Sequence, residues 1–384
     1  MKTLLLSAVE PSADQMGAAL IDSLRAHLPG GVRFVGCGGP AMAAKGFESA
    51  FDTASLSVMG VTDALRAVPA AGRRAAQLAR LAAAEGADAA VLIDAWGFSR
   101  LAAARLRRAA PETKLVKLAA PQVWASRPGR AETAAELFDL VLTLLPFEPP
   151  LFEAAGVRSV FVGNPNFETA SKTPRSGPAF RARHGLGGAP ILVVLPGSRR
   201  SEVERLMAPF GDAAQTALTQ LPGARIVIVA APAVEAKVRQ AAAQWDSAPL
   251  VVPGTERFDA FDAAEAALAA SGTVTTELAL CGVPMVVGYK TDKLTAAWAR
   301  RVIISDAVTI LNVAASDRVI PERLQEACTP EQLCADIVRL FKDDEARRRQ
   351  LSAFRRLLPE LVGDGAAADN AAREVAGLLQ REDG

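Results

Sequence analysis

Two facing doubly wound α/β domains with a helical tail are the fold the sequence predicts, on three observations. Short apolar runs of strand length alternate with amphipathic helical segments along the chain. A polar, Gly/Pro/Arg-rich stretch over residues 166–189 interrupts that alternation and reads as a linker. Past it, two turns, Pro196-Gly197-Ser198-Arg199 and Ser271-Gly272-Thr273, each stand where an apolar run gives way to a helix. The domains are therefore expected at residues 1–165 and 190–345, with helices of residues 346–384 packing back on the first domain or on a partner chain.

In the first half the expected strands are Thr3–Val9, Val32–Cys37, Ala89–Asp94, Lys114–Leu118, Leu140–Leu145 and Ser159–Val162. A helix beginning near Asp14 turns Gly17, Leu20, Ile21 and Leu24 inward. In the second half the strands are Ile191–Leu195, Arg225–Ala230, Leu250–Val252 and Met285–Val287. Ile191–Leu195 is wholly apolar, as a strand buried on both faces of a parallel sheet must be. Pro196-Gly197 breaks it, Ser198 is placed to cap a helix, and Val203, Leu206, Met207, Phe210 and Ala214 keep helical spacing behind it. Pro330 to Glu382 reads as helical. Repeated βα order implies parallel strands, whose carboxyl ends hold ligands, and two facing domains make a cleft.

The 384 residues suffice for two domains, and a net charge of +1 argues against a general nucleic-acid binder. From Arg66 to Arg130, however, twelve Lys or Arg stand against four acids. That excess makes a basic face toward anionic lipid or phosphate, or solvated helix faces. Four cysteines without a CxxC pattern and two histidines argue against zinc and for a reducing compartment. Lys2 and the apolar Thr3–Val9 resemble the start of a signal peptide, but the run is short and ends in Glu10, so it reads as a first strand. No segment reaches the ~18–20 uninterrupted apolar residues of a spanning helix.

A strand, a Gly-containing turn and a helix start make an anion site, because unpaired N–H groups and the helix dipole favour negative charge. At Pro196, Gly197, Ser198 and Arg199, followed by Glu202, the guanidinium adds a fork suited to phosphate oxygens, although the segment also serves as a plain corner. Ser271, Gly272 and Thr273 are a second such turn or only a cap. Glu277, one helical turn on, has two carboxylate oxygens that match a ribose diol. Together they indicate a nucleoside diphosphate.

In the first half, Glu10, Ser12 and Asp14 follow the first strand, with Asp14 either a cap or a site residue. Asp94 ends another strand and is either a cap or a general base for a hydroxyl nucleophile. Trp124, Arg127 and Arg130 follow a third, with Trp124 open to a core role. Leu56 to Leu65, including Val58 and Met59, followed by Arg66, Arg73 and Arg74, fits a helix at a membrane interface or lining an acyl pocket, or a core helix flanked by arginines.

In order along nearly the whole chain, these segments resemble the lipid-A-disaccharide synthase family, inverting glycosyltransferases of GT-B fold. The resemblance rests on Glu10-Pro11-Ser12-Ala13-Asp14, Val58-Met59-Gly60, Ile93-Asp94-Ala95, Pro121-Gln122-Val123-Trp124-Ala125 and Leu145-Pro146-Phe147-Glu148 in the first half. In the second it rests on Leu195-Pro196-Gly197-Ser198-Arg199 with Glu202, Ala270-Ser271-Gly272-Thr273, Pro284 to Tyr289, Asn312, and Pro321-Glu322 with Gln325. It implies transfer of 2,3-diacylglucosamine from UDP to the 6-hydroxyl of 2,3-diacylglucosamine 1-phosphate, without metal or other cofactor. It further implies association with the cytoplasmic face of the inner membrane, and a homodimer exchanging C-terminal segments. In that frame Asp94 or Glu10 is the base. Ser12, Asp14, the two turns, Glu202, Glu277, Asn312 and Gln325 lie on the UDP-sugar side. Val58, Met59, Leu65, Arg66, Arg73, Arg74, Trp124, Arg127 and Asn164 lie on the acceptor or membrane side.

The sequence departs from the family pattern mainly in the first half. Val9 and Ala13 replace glycines of Gly-Glu-x-Ser-Gly-Asp, and Trp96-Gly97-Phe98-Ser99 replaces Pro-Asp-Phe-Asn. Ser126 replaces a tryptophan, and Asn164 replaces the histidine of Gly-His-Pro, resembling instead the UDP-GlcNAc transferase of peptidoglycan assembly. Ile310-Leu311-Asn312 stands for Leu-Pro-Asn. These departures leave open a related UDP-sugar transferase or epimerase with another acceptor, or a UDP-sugar-binding paralogue of low activity.

Overall fold

The computed structural model describes residues 1–53, 61–292, 295–296 and 301–380, with the backbone alone over 61–68. Two compact units emerge, Met1–Glu168 with Leu361–Gly384, and Thr169–Glu360. In the first, β1 (Lys2–Ala8), β2 (Val32–Cys37), β3 (Ala89–Ile93), β4 (Lys114–Leu118), β5 (Leu140–Thr143) and β6 (Ser159–Phe161) form one parallel sheet in the order β2-β1-β3-β4-β5-β6. Alternation of side chains divides the core in two. Leu4, Leu6, Val91 and Val116 pack with Leu20, Ile21 and Leu24 of the Pro11–His27 helix on one face. Leu5, Leu92 and Leu115 pack on the other with Leu78 and Ala82 of the Val61–Glu85 helix and Leu106 of the Trp96–Ala109 helix.

The helix Ala367–Gln380 completes the first of these faces with Val375 and Leu379, both buried. The His27 Nε2–Asp369 Oδ1 contact at 2.7 Å fastens its first turn and the Arg158–Glu374 ion pair its middle. Asn370 Nδ2 also donates to the Val162 carbonyl at 3.1 Å. The chain rejoins the first unit at Leu361 rather than at residue 346. Most of the Asp344–Val362 helix belongs to the second unit, where the buried Gln350 amide exchanges two hydrogen bonds with the Met285 backbone at 2.9 and 3.1 Å.

In the second unit β7 (Ile191–Leu195), β8 (Arg225–Ala230), β9 (Leu250–Pro253), β10 (Ala266–Ala270), β11 (Met285–Tyr289) and β12 (Glu322–Leu324) form a parallel sheet in the order β12-β11-β10-β7-β8-β9. Two of these strands escape the sequence reading. β10 is Ala-Ala-Leu-Ala-Ala, without a β-branched or aromatic residue, yet every residue is buried at the middle of the sheet. The expected linker is instead built from the helices Pro165–Lys172 and Gly177–Arg183. Its polar residues are stitched down: Asp259 and Asp262 accept from the Ser176 and Gly177 amides at 2.8 and 2.7 Å.

Val375→Asp places a carboxylate against the first sheet and is expected to lower stability by about 3 kcal/mol or more, since a buried unpaired charge is among the costliest changes. Urea unfolding measures it, and a shift under about 1 kcal/mol would show that the C-terminal helix does not bury this face.

Candidate active site

In each unit the strand order reverses once, and the candidate residues sit at that reversal. In the first unit β1 and β3 are neighbours in register, Ala8 opposite Ile93. Glu10 leaves β1 as the exposed N-cap position of the Pro11–His27 helix without a side-chain cap bond, and Ser12 is exposed beside it. Asp94 leaves β3 in the left-handed region with φ 49°, and Ala95 follows at φ 39°. Asp94 does not cap a helix. Ala95 holds that position before the Trp96–Ala109 helix, and among the described residues the Asp94 carboxylate has no hydrogen-bond partner. The Asp94 backbone is held on both sides: its N–H donates to Leu118 O at 2.9 Å, and its carbonyl accepts from Ser99 Oγ at 2.6 Å.

The group that sequence reasoning missed here is Lys117. Counted among the cations of a basic face, it is instead fully buried on β4. Its Nζ donates to the carbonyls of Asp94, Leu118 and Leu92 at 2.6, 3.0 and 3.2 Å. Burial pushes its pKa down to about 7, against the opposing pull of Asp94 and Glu10. Glu10 in turn is raised by burial and by Asp94, with Lys117 acting the other way. The only signal in the sequence is a lysine inside the apolar run Leu115–Leu118.

Several predicted residues have their polar groups engaged within the fold. The Asp14 carboxylate, buried, accepts from the amides of Gly39, Ala41 and Met42 at 2.8, 2.8 and 3.1 Å, which shapes the turn after β2. Asn164 is the buried residue before the Pro165–Lys172 helix, its Oδ1 accepting from Asn166 N at 3.0 Å, so it acts as a helix cap. Trp124 is not core. It lies half-buried, edge-on to Phe147 with centroids 5.6 Å apart, and its Nε1 donates to Glu148 Oε1 at 3.2 Å. Glu148, buried, is pushed up to about 7 by desolvation.

Of the basic stretch, Arg107 pairs with Asp139 at 2.8 Å, and Arg74 stacks on Phe51 at 4.7 Å while donating to Gln77. Arg73 is exposed. Arg127 is exposed at φ 52°, and Arg130 is held below the usual arginine range by burial and by the like charges of Arg127 and Arg100. Val58 and Met59 lie outside the described residues, and of Leu65 and Arg66 only the helical backbone is described.

In the second unit β7 and β10 are neighbours, Leu195 opposite Ala269, so the two anion-type turns emerge side by side. Gly197 sits at φ 106°, where a Cβ would lie 2.5 Å from Glu202 Oε2, so only glycine fits. Ser198 does not cap the following helix. Arg199 is the N-cap, and Glu202 Oε2 accepts from the amides of Ser198 and Arg199 at 2.9 and 3.2 Å. The carboxylate thus already occupies two donors of the turn, while the Arg199 side chain stays 77% exposed.

The second turn is braced from behind. Ser271 Oγ donates to Val308 O at 3.4 Å, and Glu322 accepts from Val308 N, Thr309 N and Thr309 Oγ1 at 3.1, 2.8 and 2.7 Å. Gly272 and Thr273 remain exposed. Asn312 belongs to the brace rather than to an open site: buried, its amide donates to Ile320 O and Glu322 Oε1 and accepts from Ile320 N, each at 2.9 Å. Glu277 pairs with Arg257 Nε at 3.1 Å, and Gln325 Oε1 accepts from Thr291 N at 3.3 Å. Among the described residues no group of three His, Cys, Asp or Glu could hold a metal ion.

Comparison with known proteins agrees with this arrangement of sheets. The fold is similar to that of a putative UDP-N-acetylglucosamine 2-epimerase from Listeria monocytogenes, which superposes with TM-score 0.65 at 14% identity, covering 99% of this chain and 97% of that one. The S. aureus MnaA–UDP co-structure gives TM-score 0.65 at 13% identity over the same shares of each chain. At such identities the likeness concerns the fold. In sequence, the lipid-A-disaccharide synthase of Ruegeria pomeroyi is 42% identical over 374 residues, 95% of this chain and 92% of the relative. That of Paramagnetospirillum magneticum is 39% identical over 380 residues, 98% of this chain and 97% of the relative. The family model described as lipid-A-disaccharide synthetase matches residues 4–369. With the family model matching nearly the full length and relatives about 40% identical over almost all of both chains, the chain belongs to the lipid-A-disaccharide synthase family, an enzyme family of glycosyltransferases.

Proposed function

We propose that the protein transfers 2,3-diacylglucosamine from UDP-2,3-diacylglucosamine to the 6-hydroxyl of 2,3-diacylglucosamine 1-phosphate, releasing UDP. The observation that carries this reading is the Asp94 carboxylate, without a hydrogen-bond partner among the described residues, at the carboxyl end of β3 and beside Glu10. Asp94 takes the proton of the acceptor hydroxyl as its oxygen attacks the anomeric carbon, and the bond from that carbon to the UDP oxygen breaks with inversion. In the second unit the exposed Arg199 guanidinium, with Gly272 and Thr273 of the neighbouring turn, takes the diphosphate and stabilises the charge that develops on it. Glu277 and Gln325 take the nucleoside. Arg100, Arg127 and Arg130, whose like charges crowd one another, suit the acceptor's phosphate.

No described helix is long and apolar enough to cross a membrane. Peripheral attachment to the cytoplasmic face of the inner membrane, through the arginine-bearing helix of Arg73 and Arg74, is part of the proposal. So is a homodimer in which the Ala367–Gln380 helix docks on the partner's Pro11–His27 helix instead of its own.

A second reading, a related UDP-sugar transferase or epimerase with another acceptor or a UDP-sugar-binding paralogue, is favoured by Val9 and Ala13. Both are buried where the family pattern carries glycine.

Incubation of the purified protein with UDP-2,3-diacylglucosamine and 2,3-diacylglucosamine 1-phosphate is expected to yield the disaccharide 1-phosphate by mass spectrometry; UDP binding without product would favour the second reading. Asp94→Asn is expected to lower kcat by roughly 10²–10⁴-fold with UDP affinity unchanged, the scale of a lost general base. Arg199→Ala is expected to weaken UDP binding by about 10–100-fold in titration calorimetry, as loss of a charge-assisted contact does. Unchanged affinity would place the diphosphate elsewhere.

A further inference from the structure

We infer that Lys117 is a positioning residue for the Asp94 carboxylate, fixing through three backbone carbonyls the left-handed turn on which Asp94 is carried. The inference rests on the proposed role of Asp94 as base. An ammonium has three donors and no acceptor, and three carbonyls converge on this one, from Leu92, Asp94 and Leu118. A neutral amine would turn a lone pair toward one of them, so the arrangement is the complement of the charged form. Asp94 at the end of β3 and Glu10 at the end of β1 are the charged groups that favour that form, against the burial that pulls the lysine down to about 7.

The carbonyls do not need this lysine to be satisfied. Leu118 O already accepts from Asp94 N at 2.9 Å, Asp94 O from Ser99 Oγ at 2.6 Å, and Leu92 lies within the ladder joining β3 to β4. A fully buried cation without a contacting carboxylate among the described residues is costly to fold around, and an apolar residue would serve the strand better. What the lysine adds is geometric. It draws the Asp94 carbonyl inward, and consecutive residues at φ 49° and 39° then carry the side chain out of the sheet's end. Neither residue is glycine, so both conformations must be imposed from outside.

Lys117→Met tests this on the full-length enzyme, with kcat, the KM for UDP-2,3-diacylglucosamine, Tm and the double variant with Asp94→Asn measured together. The expected result is a fall in kcat of about 10²-fold, the scale of a small misplacement of a reacting group, with KM unchanged and Tm equal to or above that of the wild type. In the Asp94→Asn background the same substitution is expected to cost nothing further, because both act through one carboxylate. Wild-type kcat in Lys117→Met, or a full additional loss in the double variant, would overturn the inference. Should Lys117→Met fail to fold, Lys117→Gln, which keeps two donors, decides by the same readouts. Normal kcat in Asp94→Asn itself would instead overturn the reading of the base and leave a distinct signature.

Discussion

Both sheets are wholly parallel and covered by helices, and that constraint governs where any polar group can stand. Strand interiors must be apolar on both faces, so chemistry is confined to the strands' carboxyl ends. There the reversal of strand order opens room. The helix leaving β1 packs on one face of the first sheet and the helix leaving β3 on the other, so the two diverge from adjacent strand ends. Glu10 and Asp94 stand in that gap, and the turns after β7 and β10 stand at its equivalent in the second unit. Lys117 is the exception that the rule makes conspicuous: a cation within a strand, reaching to the one end where polar groups are admitted.

Carboxylates inside the fold do much of the shaping. Asp14 gathers three amides of one turn, Glu202 two of another, and Glu322 anchors the segment behind Ser271. Each neutralises backbone donors that would otherwise attract anions to several places at once. At the Pro196–Arg199 turn this narrows the remaining attraction to the guanidinium and the open amides of the helix start. If the turn takes the proposed diphosphate, Glu202 shapes that site as much as Arg199 does.

Alternation and apolar runs made most of the architecture legible, because a parallel sheet demands them. β2, β4, β7 and β8 have the bounds that the sequence suggests, whereas β10 escaped because alanine carries no strand preference and only its neighbours make it a strand. β12 is three residues long, too short for periodicity to register. At the site, Asp94 and Arg199 could be singled out from their position after a strand. The same logic swept in Asp14, Asn164 and Asn312, since a residue type that can bind a ligand can equally bind the backbone, and only the fold shows which amides lie within reach. Lys117 escapes for the converse reason: lysine is so rarely buried that its charge reads as surface.

The first unit is discontinuous in the chain, and this bears on how the protein is made. Its strands are complete by Phe161, but Val375 and Leu379 cover them only after the ribosome has synthesised the whole of the second unit. Leu20, Ile21 and Leu24 therefore pass translation without their final apolar neighbours, while the second unit, continuous in sequence, can close as it emerges. Until then the earlier half carries a helix face that is incompletely covered, the kind of transiently exposed apolar surface that chaperones bind.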